Sequence, residues 1–136
     1  MLSDRQTFAK LHLRWFLATV AITIASCGWY ATEAWNGPRW PGGGSLVGLT
    51  LGIAAAAIIV FECALGLRKT RWFRTARWLG SAQLWMKAHI WLGLVAVPLV
   101  VMHSGFAWGG WLSTLVAGCF ALVTASGIFG LVMQNV

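Results

Sequence analysis

Long runs of apolar residues, broken by short polar stretches, dominate the chain. The runs cover residues 13–31, 46–67, 84–103 and 111–132. Each is close to the roughly 20 residues that an α-helix needs to cross the hydrocarbon of a bilayer. In lipid a backbone must satisfy its own polar groups, so helices are expected throughout. The pattern predicts an all-α integral membrane protein, a bundle of four transmembrane helices forming one membrane domain over residues 1–136. Gly37, Pro38, Pro41 and the run Gly42, Gly43, Gly44 mark a turn-rich connection between the first two runs. Residues 68–81 mix arginines with Trp72, Phe73, Trp78 and Leu79 and read as an amphipathic segment lying along the membrane surface.

Composition agrees. Charged residues make up 10% of the chain, against about 25% in a soluble domain. The net charge of +7 does not imply nucleic acid, because the basic residues flank the apolar runs, where anionic headgroups are their natural partners. Their placement also gives an orientation. Arg5, Lys10 and Arg14 lie at the first run. Arg68, Lys69, Arg71, Arg74, Arg77 and Lys87 lie between the second and third or just inside the third. Arg39 stands alone on the other side. The excess predicts a cytoplasmic N-terminus and middle loop, and four crossings then return the C-terminus to the cytoplasm. The opening residues read as a cytoplasmic tail rather than a signal peptide, since no small-residue cleavage site follows a short apolar core. Trp29, Trp35, Trp40, Trp108 and Trp111 are expected at the outer interface, and Trp15, Trp72, Trp78 and Trp85 at the inner one. Trp91 is too deep for either belt and calls for a packing partner or a cofactor.

Little here supports soluble-type catalysis. No span holds two carboxylates, no phosphate-binding glycine loop precedes a helix, and no Ser, His and acid cluster is visible. Cys27, Cys63 and Cys119 lie inside apolar runs without metal-ligand spacing and are expected to pack as small hydrophobes. The absence of Cys-x-x-Cys-His excludes covalent c-type haem attachment.

The informative polar residues are His89 and His103. They share the third predicted helix and stand fourteen residues apart. Fourteen residues is nearly four turns, so the rings share a face while sitting about 21 Å apart along the axis. Two such imidazoles can each take one axial position on a haem iron, one near each membrane surface, but cannot share a haem. Pro98 between them should kink the helix and alter their relative direction. Glu62 is expected to form an ion pair with Arg68, Lys69 or Lys87. A proton path or a quinone head group is its other candidate role. Gly48, Gly52 and Ala56 form a small-residue face suited to close helix packing. Gly52 and Gly66, also fourteen apart, could instead make room for a flat macrocycle. Ala117, Ala121 and Ala125 form a similar stripe on the fourth run.

Over residues 85–130, His89 followed by Gly93, then His103, then Ser126, Gly127 and Gly130 resemble the membrane-embedded b-type di-haem cytochromes of the bacterial, ferric-reductase-like group. The resemblance implies haem b held by His89 and His103, with Gly93 beside it, and electron transfer through the bacterial inner membrane. In that group a second helix supplies the opposite ligands. This chain has no second His pair. A homodimer mate or another membrane subunit could supply them, or His12 could join His89 on a single inner haem. Met86, Met102 and Met133 are further candidate axial ligands. The expected function is therefore an electron-transfer subunit more than a stand-alone enzyme, with a quinone as a candidate electron partner. The competing reading is a structural or pigment-binding accessory subunit of a respiratory or photosynthetic complex, in which the histidines hold bacteriochlorophyll or bond to neighbouring helices. A transporter is a third class with thinner support.

Overall fold

A computed structural model describes residues 2–67, 70, 80–107 and 109–133, with side chains from residue 13 onward except 131 and 132. Among the described residues the chain is helical, with no strands. The helices are α1 (Leu2–Asn36), α2 (Leu46–Leu67), α3 (Ala82–His103) and α4 (Trp111–Met133). All four contain stretches long and apolar enough to cross a membrane. The predicted amphipathic segment lies almost wholly outside the described residues.

The chain divides into two compact units, residues 1–105 and residues 106–136. The first holds α1, α2 and α3, and the second holds α4. Within α4, Ala117 is half-buried while Ala121 and Ala125 are exposed. Within the first unit α2 and α3 make the closest pairing, and α1 packs on both.

The core of the first unit follows from helical spacing. Val47, Leu51 and Ala55 recur every four residues on α2, and Val95, Leu99 and Met102 meet them from α3. These six residues and Tyr30 of α1 are all buried. In water such burial would be driven by the removal of apolar surface. In lipid the surroundings are as apolar as the core, so close packing of small and branched side chains holds the helices instead. Aromatic contacts add to the packing between the helices. Phe16 meets Trp91 edge to face at 6.0 Å, and Phe61 stacks on Trp85 at 4.9 Å. Trp91, too deep for an interfacial belt, thus has a packing partner on α1.

Capping residues set the helix ends. Ser45 precedes α2, and its hydroxyl accepts from the Gly48 amide at 3.0 Å and donates to the Gly42 carbonyl at 2.8 Å. Ser81 caps α3 by accepting from the Leu84 amide. α3 continues through Pro98 to His103. Gly105, with φ +63°, turns the chain after α3, and a side chain there would press on the Pro41 carbonyl. The Tyr30 hydroxyl donates to that same carbonyl at 2.7 Å in a buried position. Tyr30→Phe should orphan the Pro41 carbonyl and cost about 1 kcal/mol, read as a lowered unfolding midpoint in mild detergent.

The cysteines differ from expectation. Cys27, Cys63 and Cys119 are all exposed on the isolated chain, rather than packed within it. An apolar thiol pays no penalty for facing lipid, so burial in lipid and burial in protein leave the same sequence signature.

Candidate functional site

The two α3 histidines both face α2. His103 lies at the end of α3 beside the start of α2, and His89 lies toward the opposite end of the pair. Their partners on α2 are Gly48 and Glu62. Gly48 and Glu62 are fourteen residues apart, like His89 and His103. Two antiparallel helices with matched spacing therefore build two polar contacts at two depths, about 21 Å apart along the axes.

At the first contact, His103 Nδ1 lies 2.7 Å from the Gly48 carbonyl oxygen. A carbonyl oxygen can only accept, so Nδ1 carries the proton. In the neutral ring the lone pair then belongs to Nε2. Glycine makes the approach feasible. A Cβ on Gly52 would overlap Nδ1, Cε1 and Cγ of the ring, and one on Gly43 would come to 3.2 Å from Cε1. Gly48 has the Gly42 carbonyl so close that a methyl group would overlap it. The small-residue face expected to pack helix on helix thus also seats an imidazole. Gly66, its expected counterpart at the other depth, has open space before it.

The second contact differs in charge. His89 Nδ1 is paired with Glu62 Oε2. Two lone pairs cannot face each other at contact distance, so a proton lies between them. Glu62 Oε1 is buried and has no hydrogen-bond partner among the described residues. Gly93, one turn beyond His89, lies against Glu62, with its Cβ position 3.8 Å from Oε2. Among the described residues the partner of Glu62 is His89. Of the expected partners, Arg68 and Lys69 lie outside the described residues. Lys87 is two positions from His89, a spacing that does not share a helix face.

Neither Nε2 has a hydrogen-bond partner among the described residues. His89 keeps 40% of its side-chain surface accessible, so its unengaged edge lies on the outside of the three-helix unit. The other candidates divide. Met102 is consumed by the core, while Met86 and Met133 are exposed. The side chain of His12 lies outside the described residues. No group of three or more His, Cys, Asp or Glu among them could hold a bare metal ion. An apolar groove of about 410 Å³ runs between α1, α2 and α3, lined by Ile22, Ala25, Trp29, Ala54, Ile58 and Leu92 among others. No histidine lines it. Ser126, Gly127 and Gly130, which carry the remainder of the resemblance, lie on α4. Compared with family models, curated proteins and solved structures, the chain matches none.

The arrangement can offer two imidazole nitrogens, each with its ring oriented from behind through Nδ1. That is the geometry by which proteins prepare histidine to bind a metal centre. It suits a centre bringing most of its own ligands, since each site supplies only one nitrogen.

Proposed function

We propose that the protein is a b-type cytochrome-like membrane subunit in which His89 and His103 each give one axial ligand to a haem iron. The observation that carries this reading is the 2.7 Å contact of His103 Nδ1 with the Gly48 carbonyl, which leaves Nε2 as the lone-pair donor in the neutral ring. The exposed edge of His89 supports a completing ligand from outside the three-helix unit, from a second copy or another membrane subunit. Haem bound at both depths would supply one-electron redox chemistry near each membrane face. The chain's own residues orient the imidazoles, hold the Nδ1 protons and exclude water with the apolar core between the sites. The excess of basic residues at the N-terminus and middle loop supports a cytoplasmic position for both, and in the bacterial inner membrane that the resemblance implies, His89 would be the inner ligand and His103 the outer one. A quinone fits the role of electron partner in lipid.

The test is an optical spectrum of the protein purified from its native membrane, oxidised and then reduced with dithionite. Sharp reduced bands of b-type haem are expected, and His89→Ala and His103→Ala should each remove about half of the haem, given one iron per histidine. A preparation without haem bands would sink the proposal. Far-red absorption dependent on either histidine would replace it with a pigment-binding accessory role.

A further inference from the structure

We propose that Glu62 is a positioning residue that strengthens His89 as a ligand and makes the iron at His89 harder to reduce than the iron at His103. This deepens the haem reading and rests on it.

The two histidines share one helix and one face, and both direct Nδ1 at α2. They differ in what meets that nitrogen. His103 meets the neutral carbonyl of Gly48, and His89 meets the carboxyl group of Glu62. An ionised carboxylate behind Nδ1 holds the proton there and draws it closer, which raises electron density at Nε2. A richer donor stabilises the ferric state more than the ferrous state. The carboxylate's own charge acts in the same direction, because the oxidised centre carries one more positive charge. The second oxygen of Glu62 is buried without a hydrogen-bond partner among the described residues, so His89 is the described group that this carboxyl group meets. With haem held by His89, the equilibrium biased would be the one-electron reduction of iron(III) to iron(II) by the quinol-type electron partner or, in the titration, by dithionite.

Gly93 lies beside the pairing. Its Cβ position lies 3.8 Å from Oε2 and 4.0 Å from Cδ of Glu62. A Cβ there would be in ordinary van der Waals contact with the carboxyl group.

A potentiometric titration of the haem-loaded protein, followed optically, tests this. Two one-electron waves are expected, and His89→Ala should remove the lower one. Glu62→Gln keeps the shape and removes the charge. It should raise the lower wave by at least about ten-fold in the reduction equilibrium, 59 mV for one electron, and leave the upper wave in place. Glu62→Asp should move the wave back toward its original position. The inference is overturned if the lower wave is the one lost in His103→Ala, if the protein shows a single wave, or if Glu62→Gln binds its full haem with both waves unmoved. If Glu62→Gln is too unstable to purify, the wild-type assignment still overturns the inference when the lower wave belongs to His103. Full haem content with the wrong order of waves overturns this inference alone, whereas absence of haem overturns the cytochrome reading with it.

Discussion

A leucine at Gly52 is expected to abolish the His103 site while sparing the His89 site. The His103 ring occupies the space where a Cβ on Gly52 would stand. Any side chain there drives the ring off α2 and breaks its bond to the Gly48 carbonyl. Even alanine should be harmful. Replacing a mid-helix glycine by alanine normally stabilises by roughly 0.5–1 kcal/mol, but overpacking a filled site costs about 1–3 kcal/mol, and a ring held against backbone has little room to yield. Gly66 is the control. It lies on the same helix fourteen residues further on, with open space before it, so Gly66→Ala should show only the propensity gain. Two readouts check the prediction. The unfolding midpoint in detergent should fall for Gly52→Ala and hold or rise for Gly66→Ala, whatever the cofactor. In the haem reading, Gly52→Leu should also remove the spectral component lost in His103→Ala. An unchanged midpoint in Gly52→Ala would show that His103 does not sit against α2.

The long apolar runs revealed the elements, because a membrane span must be helical and about 20 residues long. The second run matches α2 at Leu46–Leu67, and the third and fourth differ from α3 and α4 by a residue or two. The first run stops at residue 31, whereas α1 runs over Leu2–Asn36. Apolar character marks where a helix lies in hydrocarbon, and a helix can continue through the headgroups on polar residues such as Thr32 and Glu33. Its end at Asn36 is written in the sequence all the same, as Gly37 and Pro38 follow. The start of α3 was readable from Ser81 as a capping residue, a local signal that hydropathy overlooks.

The histidine pair was legible from spacing alone, but its partners were not. Arg68, Lys69 and Lys87 were the partners expected for Glu62; the antiparallel pairing of α2 and α3 brings His89 to it, and Arg68 and Lys69 lie outside the described residues. The fourteen-residue spacing recurs along α2. Gly52 and Gly66 are fourteen apart, as are Gly48 and Glu62, and only the register between helices selects the second pair. That register depends on the interlocking of Val47, Leu51 and Ala55 with Val95, Leu99 and Met102, a tertiary property that no single helix displays.

Leu99→Ala tests that interlocking directly. Leu99 is 3% exposed and stands on α3 one turn before His103. Removing most of a buried leucine costs about 2–5 kcal/mol, with the larger values where a cavity stays empty. Leu99 also borders the apolar groove between the three helices, so the space left by truncation opens toward lipid, and an acyl chain can enter it. The cost should therefore lie near the lower end, about 2–3 kcal/mol, and should be smaller in lipid bicelles than in a detergent whose tails fill the groove less well. Unfolding by a denaturing detergent, titrated in each medium, checks both the size and the difference. The register consequence is separate. With the Leu51–Leu99 layer weakened, α3 loses part of what holds it in step with α2, and the two polar contacts at its ends should loosen together. A two-site effect from one apolar truncation that lies one turn from His103 and ten residues from His89 is the expected signature. Loosening at His103 alone would show that the sites are held by their own local contacts.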